Sequence, residues 1–248
     1  MYMDDEQNLI KVLKDLCCEG PIDAIGSGSN SVGKTMQFKL GVDHSVSKRN
    51  ALFNHTITAT QASPSSSGRT NLFACVPDWS NSILKSSTEI VDMLGKENVD
   101  KGYAKSLFCT VTSLHPNGFG LYLKVDPANK SLEEWKVIDG EFAELVSWSS
   151  LTLDARLSRM GSSAIVRANP VDLNGRSAFH YRYVDILGPP NLDAFYELLD
   201  DGVITIDHLI SLKYGRNSAR EQGPLFKIRA DCREELFGNV NRIDLLDL

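Results

Sequence analysis

Gly28-Ser29-Asn30-Ser31-Val32-Gly33-Lys34-Thr35 matches the pattern G-x-x-x-x-G-K-[ST] in full. In a nucleotide-binding loop of this spacing, backbone N–H groups surround phosphates, the lysine reaches the β/γ oxygens and the threonine holds magnesium. The apolar run Val203-Ile204-Thr205-Ile206 ends in Asp207, the place for an acid of the second metal shell. The surroundings argue against this reading. Ile22-Asp23-Ala24-Ile25 is a thin strand broken by a charge, and only Met36 to Leu40 follow Thr35 before Gly41. A phosphate-binding helix must be long enough to pack on a sheet while aiming its positive N-terminus at the ligand. The expectation is a Gly/Ser turn leading into a short helix. No Ser-His-Asp or Cys-His spacing suggests nucleophilic catalysis. Cys17, Cys18, Cys75, Cys109 and Cys232 are odd in number and form no C-x-x-C pair, so free thiols rather than a structural zinc site are expected.

The elements that would position these groups mix strands and helices without strict alternation. Leu9, Ile10, Val12, Leu13 and Leu16 follow helical spacing up to Gly20-Pro21. Helices also fit 83–94, 151–160, 192–200 and a short stretch near 233–237. Strands fit 53–61, 71–76, 106–112, 119–125, 163–168, 178–186, 203–206 and 225–229, with a short flexible loop at 63–68. His180, Tyr181 and Tyr183 on an alternating strand read as packed core, and Trp79, Trp135 and Trp148 as core or rim packing rather than a base-stacking platform. The fold class is α/β (α+β), a mixed β-sheet core flanked by helices. The 248 residues read as a single domain, with lobes of about 1–115 and 116–248.

Hydrophobic residues at 42% and charged residues at 23% exclude a disordered or fibrous chain. No apolar run approaches the roughly 20 residues that cross a bilayer, and the acidic start has the wrong sign for a signal peptide. A cytoplasmic protein with no membrane partner is expected. Twenty-six basic against 32 acidic residues, a net charge of −6, argue against indiscriminate coating of nucleic acid. They leave room for a basic groove on an acidic body.

Several segments together resemble one family. Val32-Gly33-Lys34-Thr35-Met36-Gln37-Phe38-Lys39-Leu40-Gly41-Val42 is similar to the first helix of the MvaI/BcnI-type restriction endonucleases, relatives of the mismatch-repair nickase MutH. Thr70 to Trp79 resembles their core strand, Gly118 to Leu123 their central sheet, and Val146 to Leu151 the start of a later helix. Asp201 to Asp207 and Gly223 to Ile228 resemble their C-terminal pair. The matches run in order from about residue 9 to residue 238. The resemblance implies a restriction-endonuclease-like fold with a catalytic-type N-terminal lobe and a DNA-recognition C-terminal lobe. It also implies magnesium-dependent cleavage of double-stranded DNA at a PD-(D/E)-x-K site. There, carboxylates hold the metal and a lysine orients or activates the attacking water.

The family's helix Glu falls on Gln37, its Asp on Ala51, and its Glu-x-Lys pair on Thr56 and Thr58. No acidic residue lies between Asn50 and Ala62. Asp43, His44 and His55 are the nearby substitutes, and His55 should point away from Thr56. The expectation is a pseudonuclease with no metal and no cofactor, magnesium entering only if the site is active after all. DNA contacts are expected from Lys34, Lys48, Arg49, Arg69, Asp207, Arg216, Arg220, Gln222, Lys227 and Arg229. The segment Arg220-Glu221-Gln222-Gly223 stands where family members show His-Asp-[His/Arg]-Gly, and Arg pairs bidentately with guanine as Gln does with adenine. Lys227 replaces a family arginine and loses that fork geometry. Such a protein would recognise DNA in a restriction or antiviral defence system. The alternatives are a nuclease with an unconventional magnesium site, a subunit pairing with an active nuclease chain, a merely solvated basic hairpin, and the P-loop nucleotide-binding reading.

Overall fold

The computed structural model describes residues 4–28, 30–42, 51–62, 68–138, 140–221 and 223–248. Lys48, Arg49, Asp43, His44 and Gln222 lie outside the described residues, as does the loop at 63–67. In chain order the elements begin α1 (Asp5–Cys18), β1 (Ile22–Asp23), α2 (Ser31–Lys39), β2 (Ala51–Leu52) and β3 (His55–Gln61). There follow β4 (Arg69–Ala74), α3 (Ser87–Leu94), β5 (Lys96–Asn98), β6 (Tyr103–Val111), β7 (Leu121–Asp126), β8 (Ser131–Ile138) and β9 (Glu141–Trp148). The chain continues through α4 (Ser150–Ser158), β10 (Ser162–Leu173), β11 (Arg176–Leu187) and α5 (Leu192–Asp200). It ends with β12 (Ile204–Lys213), β13 (Arg220–Glu221), β14 (Leu225–Arg229), α6 (Arg233–Phe237) and β15 (Val240–Asp244). No helix among the described residues is long and apolar enough to cross a membrane.

The chain divides into two compact units that interleave in sequence rather than parting near residue 115. Met1–Ser67, Met160–Pro190 and Phe237–Leu248 form the first; Gly68–Arg159 and Asn191–Leu236 form the second. The interleaving follows from pairing, because β10 and β11, from well past the midpoint, complete the sheet that β3 begins.

In the first unit the sheet order is β1-β11-β10-β3-β2, with β15 on β11. β3 runs parallel to β10 and the other pairs are antiparallel, the expected mixed sheet. α1 is capped by Asp4, whose carboxylate accepts the Gln7 N–H at 2.8 Å. Its Leu9, Leu13 and Leu16 join Val32 and Met36 of α2 and Ile57, Val166 and Tyr181 of the sheet in one core. Cys17 enters that core while Cys18 faces solvent. His180 is half-buried, its Nε2 3.1 Å from the Cys17 carbonyl, a packing role as expected. β10 runs on through Pro170, beyond the strand expected at 163–168. Pairing with β3 ends at Ala168, so no partner on that edge needs the N–H that proline lacks. The β10–β11 hairpin turns at Asn174-Gly175 with φ of 58° and 84°, the left-handed pair that Asn-Gly adopts readily.

In the second unit a six-stranded sheet, β4-β14-β12-β6-β5 with β13 on β12, is antiparallel throughout. β7, β8 and β9 make a separate antiparallel sheet. Phe73, Phe195, Phe226 and Trp148 stack and cross at 4.8–6.0 Å in the core between them. Residues 146–148 close β9, and α4 starts only at Ser150, where the Ser149 hydroxyl accepts the Thr152 N–H. Asp78 secures that start by accepting from Ser149 N at 2.6 Å and Thr152 Oγ1 at 2.7 Å. The Tyr181 hydroxyl, fully buried in the first unit, donates to the Val32 carbonyl at 2.7 Å and ties α2 to β11. Tyr181→Phe is expected to cost about 1 kcal/mol, read as a lower urea midpoint with unchanged slope.

Candidate nucleic-acid interface

Gln37, Ala51, Thr56 and Thr58, the positions expected from the resemblance to correspond to catalytic residues, lie in the first unit. Ala51 pairs with Thr56 across the β2–β3 hairpin, and Thr56 and Thr58, two apart on one strand, share a face. His55 and Ile57 go to the buried face, as alternation requires. The His55 Nδ1 lies 2.7 Å from the Phe53 carbonyl. The Thr56 hydroxyl donates to the Met160 carbonyl at 3.4 Å, and Gln37 sits half-buried on α2. A methyl group, two hydroxyls and a carboxamide do not fit a magnesium ion, which takes carboxylate oxygens and waters. Among the described residues no group of three or more His, Cys, Asp or Glu is placed to hold a metal. The phosphate-loop match is spent on structure. Thr35 is fully buried, its hydroxyl accepting from Ile25 N and donating to the Ser31 carbonyl, both at 2.8 Å. α2 has nine residues, and Lys34 stands exposed on its first turn.

The second unit gathers most of the remaining basic candidates on one face of its larger sheet. On β12, alternation sends Ile204, Ile206, His208 and Ile210 inward and Thr205, Asp207, Leu209 and Ser211 outward. Asp207 accepts from Arg69 Nη1 at 2.6 Å and Nη2 at 3.3 Å, from Thr110 at 2.7 Å, and from Lys227 Nζ at 2.6 Å. Burial works against its ionisation, but the hydrogen bonds from Lys227, Arg69 and Thr110 outweigh that and hold its pKa below the ordinary carboxylate value. Both oxygens of Asp207 are thus committed, and its part is to fix two cations side by side. Arg229 follows Lys227 on the same face, exposed and paired with Asp231 at 3.0 Å. Arg220 joins this face through the pairing of β13 with Ser211, and Arg216 is exposed in the connecting turn. Gly223, with φ +84°, brings the chain back against β4, where a Cβ would lie 2.9 Å from that of Ala74.

Behind this face lies a cluster that no sequence pattern singles out. His208 Nε2 and Glu134 Oε2 are 2.7 Å apart, and both side chains are essentially inaccessible. Glu221 lies on the same inward side and accepts a very short hydrogen bond from Ser87. Glu134 Oε1, His208 Nδ1 and Glu221 Oε1 are buried without a hydrogen-bond partner. Burial opposes protonation of His208, yet the Glu134 carboxylate outweighs it and raises the imidazole above its ordinary value near 6.5. Burial raises Glu221, and it pushes the neighbouring Cys109 thiol up to about 12. The signal available beforehand was a charged pair, Glu133-Glu134, inside an otherwise strand-like segment.

A mixed sheet packed on two helices, with a second unit built on an antiparallel sheet with a cationic face, defines a restriction-endonuclease-like fold. The model of the MvaI/BcnI restriction endonuclease family matches residues 10–237, so the chain belongs to that family. The solved complex of restriction endonuclease MvaI with cognate DNA superposes with a TM-score of 0.80 at 14% identity, covering 99% of this chain and 100% of that one. MvaI in the absence of DNA superposes with a TM-score of 0.55 at 16% identity, covering 98% and 99%. A comparison with curated proteins finds no match.

The two faces of β12 give opposite pH dependences. Asp207, with its depressed pKa, contributes stability above about pH 3.8 that is lost as pH falls through its folded value. His208, with its raised pKa, contributes stability below about pH 6.5 that is lost as pH rises through its folded value. Chemical denaturation across pH is expected to show His208→Gln flattening the alkaline decline alone. Glu134→Ala, which strands the buried imidazole, should cost about 3–5 kcal/mol.

Proposed function

We propose that this chain is a pseudonuclease of its family, binding double-stranded DNA through the cationic sheet face without magnesium-dependent cleavage. The observation that carries the reading is the hairpin of β2 and β3. Its Ala51, Thr56 and Thr58 share one face and offer no charge. A hard divalent cation needs carboxylates to leave water, and uncharged oxygens do not compensate. Removing carboxylates also removes repulsion towards a phosphate backbone, so the loss of cleavage is compatible with retained binding. The fold shared with an endonuclease solved on its cognate DNA supports duplex DNA as the partner. Arg69, Lys227 and Arg229 are the residues for phosphate contact, and Arg216 and Arg220 those for base edges. Recognition without cutting suits a sensor or specificity component of a restriction or defence system.

Fluorescence anisotropy with a random duplex pool at about 50 mM salt should show binding that weakens steeply with added salt. Lys227→Ala and Arg229→Ala should each weaken it and lower the slope of log K against log salt by about 1. Absence of any duplex affinity would overturn the reading. Plasmid incubated with magnesium or manganese should stay un-nicked. The combined variant Gln37→Glu, Ala51→Asp, Thr56→Glu, Thr58→Lys should bind manganese by calorimetry where the parent does not; no binding would refute the assignment of these positions.

A further inference from the structure

β6 sends Leu107, Cys109 and Val111 towards the core, which leaves Phe108 and Thr110 on the solvent face. Thr110 is suited to that face and is used there by Asp207. Phe108 is not: it is 41% exposed, with the Tyr103 ring edge-to-face at 6.2 Å. Tyr103, Phe108, Leu209, Ser211 and Arg220 line a recess of about 180 Å³. Its lining offers two aromatic rings, a leucine side chain, a guanidinium and a hydroxyl. None of these lining residues is acidic.

We infer that this recess receives a single nucleobase displaced from the stack of a bound duplex. The inference rests on the DNA-binding reading and deepens it. The volume admits one planar ring system and no base pair. Aromatic faces stack any base, and an arginine fork with a hydroxyl meets the acceptors along a base edge. Lys101 reaches to 5.8 Å from the Phe108 ring centre, an exposed cation at the rim where the displaced nucleotide's phosphate would run. The recess lies on the same sheet face as Arg69, Lys227 and Arg229, so a backbone held by those cations passes beside it. The backbone that carries Arg220 is held before any ligand arrives, while its side chain is exposed. On one side the Ala219 N–H donates to Thr88 Oγ1 at 3.0 Å, and on the other the half-buried Glu221 accepts a hydrogen bond from Ser87. Pre-ordering of this kind lowers the entropic cost of capture and helps offset the few kcal/mol needed to unstack a base.

The test uses the full chain and duplexes carrying 2-aminopurine at successive positions. Binding is read by anisotropy and displacement by 2-aminopurine emission, with permanganate oxidation of thymines as a second report of unstacking. One position is expected to brighten or become reactive on binding. That response should vanish in Phe108→Ala and Arg220→Ala and persist in Phe108→Trp, which keeps the stacking surface. Phe108 is exposed, so truncating it leaves the core intact. A duplex that binds with neither response at any position, or a response unchanged in Phe108→Ala, overturns the recess and leaves the DNA-binding reading standing. If neither duplex nor single-stranded oligonucleotide changes anisotropy, both fall together.

Discussion

The buried pair between Glu134 and His208 is the contact on which the second unit depends. It joins the middle of a three-stranded sheet to the central strand of a six-stranded one, in a place where neither partner reaches water. Two such groups would be costly alone, and each makes the other tolerable. Its geometry is demanding, since one oxygen of Glu134 and one nitrogen of His208 remain without partners. Because His208 must point inward, its neighbour Asp207 must point outward, and one strand register thereby settles both faces of the sheet.

On the outward face the consequence is electrostatic order. A single carboxylate gathers Arg69 and Lys227, which by themselves would repel each other. The result is a fixed, partly exposed cationic site with a net positive charge. The protein's overall charge of −6 says nothing against this, because fields near a surface follow the local arrangement and not the sum. Acidic residues are absent from the hairpin strand between Asn50 and Ala62, and most basic candidates collect on one sheet of the other unit. The uncharged hairpin and the cationic sheet face thus belong to different units of the chain.

Much of the architecture could be read from residue patterns. The helical spacing of Leu9, Leu13 and Leu16 and the boundaries of α5 at 192–200 and of β14 at 225–229 all follow from local periodicity. The absence of acidic residues between Asn50 and Ala62 is equally visible, since composition needs no structure to be read. β8 was not legible. Glu133 and Glu134 give it a polar look, and the partner that justifies Glu134 lies 74 residues further on. β15 and the extension of β12 to Lys213 are not legible in the sequence for the same reason: their pairing partners are remote.

The amino-acid sequence by itself determined which side chains exist and which alternate on a strand or helix, and so the fold class, the family and the uncharged stretch between Asn50 and Ala62. These are short-range properties, set by backbone periodicity and residue chemistry. Only the tertiary structure decided that Asp207 serves Arg69 and Lys227, that Thr35 is consumed inside α2, and that two aromatic rings and Arg220 frame a recess. Those facts depend on which remote strands pair and in what register. Register is chosen by the burial of whole faces at once, which no single stretch of sequence encodes.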